Sequence, residues 1–206
     1  MAECAPRALL IDFGGVLTTS VWASFAAFCE REGIDPKTVK DVFRSDEQAL
    51  ADLRELESGR LAQSDFEQRF ASRLGVEPEG LTRRLFAEVE PDQTMVATVR
   101  SVRAAGVATC LVSNSWGSGL YDELPMAELF DATVISGEVG MHKPRPEIYE
   151  LSAQRVGHAP SACVFVDDLR ENCEGARAVG MTAVLHRHPA GTRTRLDELL
   201  GLGLVG

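Results

Sequence analysis

LLIDFGGVLTTS, residues 9–20, is where the reading of this chain begins. Ala8-Leu9-Leu10-Ile11 is an apolar run of the length of a buried strand, and it ends at one carboxylate, Asp12. Gly14 and Gly15 follow, then a small-polar stretch, so the backbone beyond the strand is free to come very close to another group. An acid at a strand end beside such a turn poses two questions. One is what the acid faces. The other is why a glycine stands at 14, where a second acid could have stood.

Working outward, the texture changes twice. Residues 20 to about 90 read as helices only. SVWASFAAFCERE places Val21, Phe25, Phe28 and Cys29 on one helical face. Asp35-Pro36 reads as a helix start. Ser64 and Glu67 form a capping-box pattern ahead of a Phe66, Phe70, Leu74 stripe that Gly75 stops. Pro78 opens a further helix through Leu81, Leu85 and Val89. From about 94 helix and strand alternate: a helix near 94–105, VATCLVSN, a helix near 119–129, ATVIS, a helix from Pro146, ACVFVDD, a helix near 171–179, MTAVLH, and a last helix near 193–200. This order predicts an α/β fold, a Rossmann-like parallel sheet of about five strands with helices on both faces. The core is expected over 1–17 and 92–206, and a helical cap inserted over 18–91.

In such sheets ligands sit outside the carboxyl ends of the strands. Those ends carry Asp12, then Ser113 and Asn114, then Asp167 and Asp168, and the loop GEVGMHKPRPE offers Lys143 between two prolines nearby. Taken singly, each is ordinary turn, cap or surface chemistry. Their conjunction on one rim is not. Several carboxylates together repel unless a cation sits among them, and Mg²⁺ prefers carboxylate oxygens, water and phosphate. A carboxylate at Asp12 is then placed to attack phosphorus, giving an aspartyl-phosphate that water clears. Ser113, Lys143 and the turn amides of Gly14 and Gly15 would hold the developing charge.

The stretches LLIDFGGVL, LVSNS, HKPRPEIYE and VFVDDLRENCEGARAVGM resemble, in order, the four motifs of the haloacid dehalogenase superfamily. The last two resemble the branch containing the N-terminal phosphatase domain of soluble epoxide hydrolases, and the helical segment stands in the place of the C1 cap. The resemblance implies Asp12 as nucleophile and metal ligand, with the Gly14 carbonyl as a second metal ligand. It implies Ser113 and Asn114 as phosphate or substrate contacts and Lys143 as the charge clamp. Asp168 is the implied direct metal ligand, Asp167 a second ligand or the partner of Lys143, and Asn172 an orienting residue. The implied cofactor is Mg²⁺, and the implied partner is a small phosphorylated substrate.

One position departs from the pattern. Most phosphatases of the superfamily carry a second Asp two residues after the nucleophile, which protonates the leaving group; here it is Gly14. Losing such a group costs roughly 10²–10⁴ in rate. Three readings follow: a phosphatase whose substrate or cap supplies the acid, a ligand- or protein-binding descendant, and a 2-haloacid dehalogenase. The dehalogenase ranks last, because those enzymes need no metal and the metal acids are kept here. Asp46, Glu47 and Asp52 are the candidate acids in the cap.

The remaining features exclude more than they add. A net charge of -10 argues against nucleic acid as the partner. The five cysteines are scattered and form no C-x-x-C pair, and with a short, polar beginning they lead to an expected cytoplasmic protein without a membrane span. His186 and His188, in HRH, read as a polar loop rather than a zinc site, and His142 as a loop residue beside Lys143. TRTR at 192–195 reads as a helix-start surface and GLGLVG at 201–206 as a loosely ordered tail. Trp22 and Trp116 are candidates for the substrate mouth, with core packing an equal reading for Trp22.

Overall fold

A computed structural model describes residues 6–117, 119, 121–122 and 124–204. Five parallel strands form one sheet: β1 (Ala8–Ile11), β2 (Ala108–Ser113), β3 (Ala132–Ile135), β4 (Cys163–Asp167) and β5 (Thr182–Leu185), in the order β3-β2-β1-β4-β5. β1 is central, with Ile11 opposite Leu111 of β2 and Val166 of β4. The chain winds outward from β1 in both directions, so the strand order reverses there, the position at which open sheets form their ligand crevice.

Both faces of the sheet are covered, which is why the strands read as continuous apolar runs. Leu9 and Ile11 point into one layer, with α6 (Gln93–Ala104) and α11 (Pro189–Leu200) packed on it through Val99 and Leu196. Ala8 and Leu10 point the other way, against α9 (Pro146–Arg155) and α10 (Arg170–Ala178) through Tyr149 and Ala176. By the same alternation Asp12 continues the Leu10 face. Two short helices, α7 (Met126–Leu129) and α8 (Ser136–Val139), flank β3.

Between β1 and β2 lie α1 (Val21–Arg31), α2 (Thr38–Ser45), α3 (Glu47–Glu57), α4 (Gln63–Leu74) and α5 (Leu81–Leu85). They enclose an apolar cluster of their own around Phe25, Phe28, Phe66 and Phe70. The chain enters and leaves this unit side by side: Thr18 bridges Pro91, Thr19 N–H donates to Glu90 O at 2.8 Å, and Asp92 N–H to Leu17 O at 2.8 Å. No described helix is long and apolar enough to cross a membrane.

Several local expectations are corrected. α4 starts at Gln63 with Ala62 as its cap, so Ser64 lies inside the helix and makes no capping box. Glu67 instead accepts from the Thr82 N–H at 3.0 Å and holds the start of α5. α5 ends at Leu85, short of Val89, and the helix after Asp35-Pro36 begins only at Thr38. The helix expected over 119–129 is reduced to Met126–Leu129, because Pro125 cannot continue a helix and Gly117 and Gly119 adopt positive φ; residues 118, 120 and 123 lie outside the described set. HRH is the loop expected after β5, but an ordered one: His188 Nδ1 accepts the Gly191 N–H and caps α11, and His186 is buried on Thr192 Oγ1. The tail packs as far as Leu204, whose N–H donates to Asp197 Oδ1 at 2.8 Å. Cys29, Cys110, Cys163 and Cys173 are buried thiols; Cys4 lies outside the described residues.

Candidate active site

The first question, what Asp12 faces, is answered by Lys143. The Asp12 N–H donates to Val166 O at 2.9 Å, extending the β1–β4 ladder by one residue and fixing the direction of the side chain. Lys143 Nζ lies 2.6 Å from Asp12 Oδ1 and 2.7 Å from Asp167 Oδ2. The loop carrying Lys143 is set by Asn114, whose Oδ1 accepts the Lys143 N–H at 2.9 Å and whose Nδ2 donates to the Lys143 carbonyl at 3.1 Å. Asp167 accepts from Asn172 Nδ2 at 3.0 Å on each oxygen and from the Leu169 N–H at 2.8 Å. Tyr149 OH in turn donates to the Asn172 carbonyl, so the start of α10 is tied to α9 beneath the site.

Electrostatics follow from three carboxylates facing one ammonium in a nearly dry place. Burial pushes the Asp12 carboxyl up to about 8, Lys143 pulling against it and Asp167 and Asp168 adding to it. Burial works against the Lys143 ammonium, yet Asp12 and Asp167 outweigh it and hold its pKa above the usual lysine range. Asp168 is pushed up to about 6 by burial and by Asp167. One carboxylate oxygen from each of Asp12, Asp167 and Asp168 lies within 4.8 Å of the others. That donor set, all oxygen with an excess of negative charge, fits a hard divalent cation.

The two glycines differ. Gly15 has φ +72°, and a Cβ there would stand 2.8 Å from Asp168 Oδ2, so the turn requires glycine. Its N–H is spent on Thr18 Oγ1 at 3.0 Å, inside the turn, and is not presented to a ligand. Gly14 has no such φ, and a Cβ would meet only Val21 Cγ2 at 3.1 Å. Nothing in the backbone therefore demands glycine at 14.

A cavity of about 560 Å³ lies between the rim and the inserted helices. Asp12, Gly14, Ser113, Asn114, Lys143, Asp168 and Asn172 line its floor; Asp167 lies beneath, fully buried. Ser113 Oγ accepts from Tyr121 OH at 3.0 Å. The roof mixes apolar side chains, among them Phe25, Phe43, Leu53, Phe86 and Trp116, with the charged Lys40, Arg44, Arg54 and Glu57. Trp116 reaches up from the loop after β2 and packs edge-on against Phe43, Phe66 and Phe86. Trp22 and Leu169, the two exposed large apolar side chains among the described residues, stand at this cavity as well.

The acids expected from the cap do not reach the cavity. Asp46 caps α3 and pairs with Arg73, Glu47 is exposed, and Asp52 is buried between Arg69 and Arg73. Glu57 does reach it, a residue the sequence did not single out. The same Asn114 Nδ2 that meets the Lys143 carbonyl also donates to Glu57 Oε2 at 3.1 Å. Both ends of the Asn114 amide are therefore engaged, by Lys143 and by Glu57, at the edge of the cavity it lines. Burial pushes Glu57 up to about 7, with Lys143, Asn114 and the Trp116 indole N–H pulling against it.

The model of the haloacid dehalogenase-like hydrolases matches residues 6–180. This chain belongs to that family. It is 33% identical over 117 residues to bifunctional epoxide hydrolase 2 of Rattus norvegicus, 53% of this chain and 21% of that protein, in keeping with the branch expected from the motifs. The chain thus spans about a fifth of the length of the first curated relatives it matches. It is 33% identical to the fructose-1-phosphate phosphatase YqaB of Escherichia coli, over 68% of this chain and 77% of that one. To the sesquiterpene phosphatase astK of Aspergillus oryzae it is 26% identical over 95% and 97%. A haloacid dehalogenase family enzyme of Bacteroides thetaiotaomicron, solved with magnesium and inorganic phosphate, shares the fold at 21% identity and a TM-score of 0.64, over 88% of this chain and 94% of that one. The hydrolase family and the five-stranded Rossmann-like fold are therefore both established for this chain.

Proposed function

We propose that this hydrolase is a phosphomonoester phosphatase acting through an aspartyl-phosphate at Asp12, with Mg²⁺ as its cation. The observation that carries the reading is the Asp12 carboxylate itself. It opens into the cavity at the end of the central strand, 2.6 Å from Lys143 and within ligand spacing of Asp167 and Asp168. Asp12, Asp168, the Gly14 carbonyl and, through its neighbours, Asp167 would hold the cation, which when bound screens the charge between nucleophile and phosphate. Asp12 supplies the attacking oxygen. Lys143 orients the Asp12 carboxyl and opposes the burial that raises its pKa, and with the Ser113 hydroxyl it would hold the phosphoryl oxygens. Asn172 fixes Asp167, and Asn114 fixes the Lys143 loop.

The inserted helices act as a cap over the rim, with its hinge where residues 17–19 run beside 90–92. The aromatic part of the roof, Phe25, Phe43 and Trp116, suits a phosphomonoester whose organic part is aromatic or aliphatic, with Lys40, Arg44 and Arg54 at the same cavity to meet any polar groups it carries. The likeness to a sesquiterpene phosphatase along nearly the whole chain supports the same choice.

The test is phosphate release from a panel of alkyl, aryl and sugar phosphates, with Mg²⁺ and with chelator, beside Asp12→Asn. Metal-dependent release lost in the variant is expected. Release from none of the panel would turn the assignment to a ligand-binding descendant, the second reading that Gly14 left open.

A further inference from the structure

We propose that Glu57 is the acid–base residue that Gly14 lacks, delivering a proton to the leaving oxygen from the cap side of the cavity. The inference rests on the phosphatase reading above and goes beyond it by naming the group that completes the reaction.

Two observations and one stereochemical argument carry it. First, Glu57 is the only acid of the inserted helices among the described residues that line the cavity. Second, it is fixed to the core although it belongs to the cap. The Ser136 hydroxyl donates to the Glu57 carbonyl, and the side chain accepts from Asn114 and from Trp116. Gly59, two residues on at φ +71°, lies so close to Gly137 that a Cβ would stand 2.7 Å from its carbonyl oxygen. The foot of α3 therefore stays seated on α8 and the loop after β2, and its acid keeps one place relative to the rim. Third, an in-line attack by Asp12 sends the leaving oxygen away from the floor, toward the roof from which Glu57 enters.

The surroundings suit the task. Lys143 from the loop after α8 and Arg54 from α3 itself act on Glu57, and Lys40 and Arg44 of α2 line the same cavity. His142 lies on the same side, and Asp12, Asp168 and Glu171 face it across the cavity. With the carboxyl near neutrality, the protonated and ionised forms are both present at working pH. In the first step an Asp12 oxygen bonds to phosphorus, the phosphorus–ester oxygen bond breaks, and the Glu57 proton passes to that oxygen, releasing an alcohol. In the second, the Glu57 carboxylate takes a proton from water as the water oxygen bonds to phosphorus. The Asp12–phosphorus bond then breaks, inorganic phosphate leaves, and Glu57 is protonated again.

The experiment compares kcat/KM for an alkyl phosphate and for p-nitrophenyl phosphate, whose leaving group departs as a stable anion, in the wild type and in Glu57→Gln. Gln keeps an oxygen for Asn114, and the fold is checked by thermal denaturation. The alkyl ester is expected to lose about 10²–10³-fold and the nitrophenyl ester less than about 10-fold. Gly14→Asp introduced into the Glu57→Gln variant is expected to recover part of the alkyl activity. The wild type alone gives a second test: the ratio of kcat/KM for the alkyl ester to that for the nitrophenyl ester should fall as pH rises above about 7, the ionisation of Asp12 being common to both. Equal losses on both esters, or no loss on the alkyl one, would overturn the proposal while leaving the phosphatase intact. A wild type that cleaves neither ester in Mg²⁺ would overturn the phosphatase reading and this proposal with it.

Discussion

Asp52 and Glu57 stand on one helix, five residues apart, and their surroundings have opposite effects. Asp52 turns outward into the helical unit, where burial raises its pKa less than Gln48, Arg69 and Arg73 lower it. Glu57 turns inward, where burial wins and the pKa rises to about 7. Both are acids of the inserted helices with buried surroundings and polar partners. Only one opens into the cavity. Burial and ion pairing therefore do not mark a functional acid in this protein. What separates the two is whether a guanidinium has already neutralised the carboxylate, which makes Asp52 a staple between α3 and α4 and leaves Glu57 with an exchangeable proton. The rim repeats the contrast in one place: Asp167 is fully consumed by Lys143, Asn172 and a backbone amide, while Asp12 keeps its second oxygen toward the cavity.

The contrast yields a ranked set of expectations. Asp12→Asn should lower turnover by about 10⁴-fold or more in phosphate-release assays, with a smaller loss of stability than Lys143→Met because Asp167 still pairs the Lys143 ammonium. Lys143→Met should lose both activity and about 3–5 kcal/mol in urea denaturation, since Asp12 and Asp167 both lose the ammonium they share. Gly14→Asp in the wild-type background should raise alkyl phosphate turnover by no more than about 10-fold, because Glu57 already supplies the proton. A gain of several hundredfold there would mean that no acid had been present. Asp52→Asn should leave kcat/KM unchanged and cost about 1–2 kcal/mol, discounted because Arg69 is largely solvated. Its pH signature follows from its lowered pKa: the stabilisation is fully present above about pH 4, the unfolded value, and is lost as pH falls through the lower folded value. A flat acid limb in Asp52→Asn relative to wild type, read by denaturation between neutral and acid pH, checks it.

The rim was legible in the sequence because all its residues but Lys143, which lies in a proline-flanked loop, sit at a strand end, where an apolar run stops at a polar side chain and the topology dictates which ends converge. Asp12, Ser113, Lys143, Asp167 and Asp168 needed only the strand order to be brought together. Glu57 lay out of reach for a physical reason. LRELESGR reads as the solvated end of an amphipathic helix, and its distinguishing contacts come from Ser136, Asn114 and Gly137, all distant in the chain. Gly59 was the available signal, a glycine just past a helix end, but that pattern ordinarily marks a C-cap and nothing more. Ser64 and Glu67 failed in the opposite way: a sound local pattern was overruled because Glu67 gains a buried backbone partner at Thr82. Asn114 lies between the two cases, legible as a site residue but not as a brace, since its partners are fixed only by the tertiary fold.

The central claim is that Asp12 carries the phosphoryl group. Acid quenching during turnover of an aryl phosphate in Mg²⁺, followed by mass spectrometry of the peptide spanning residues 8–31, tests it directly. The account predicts one added phosphoryl group on Asp12 that accumulates in Glu57→Gln, where water is no longer activated, and is absent from Asp12→Asn. Steady phosphate release with that peptide never modified, or the same modification persisting in Asp12→Asn, would contradict it.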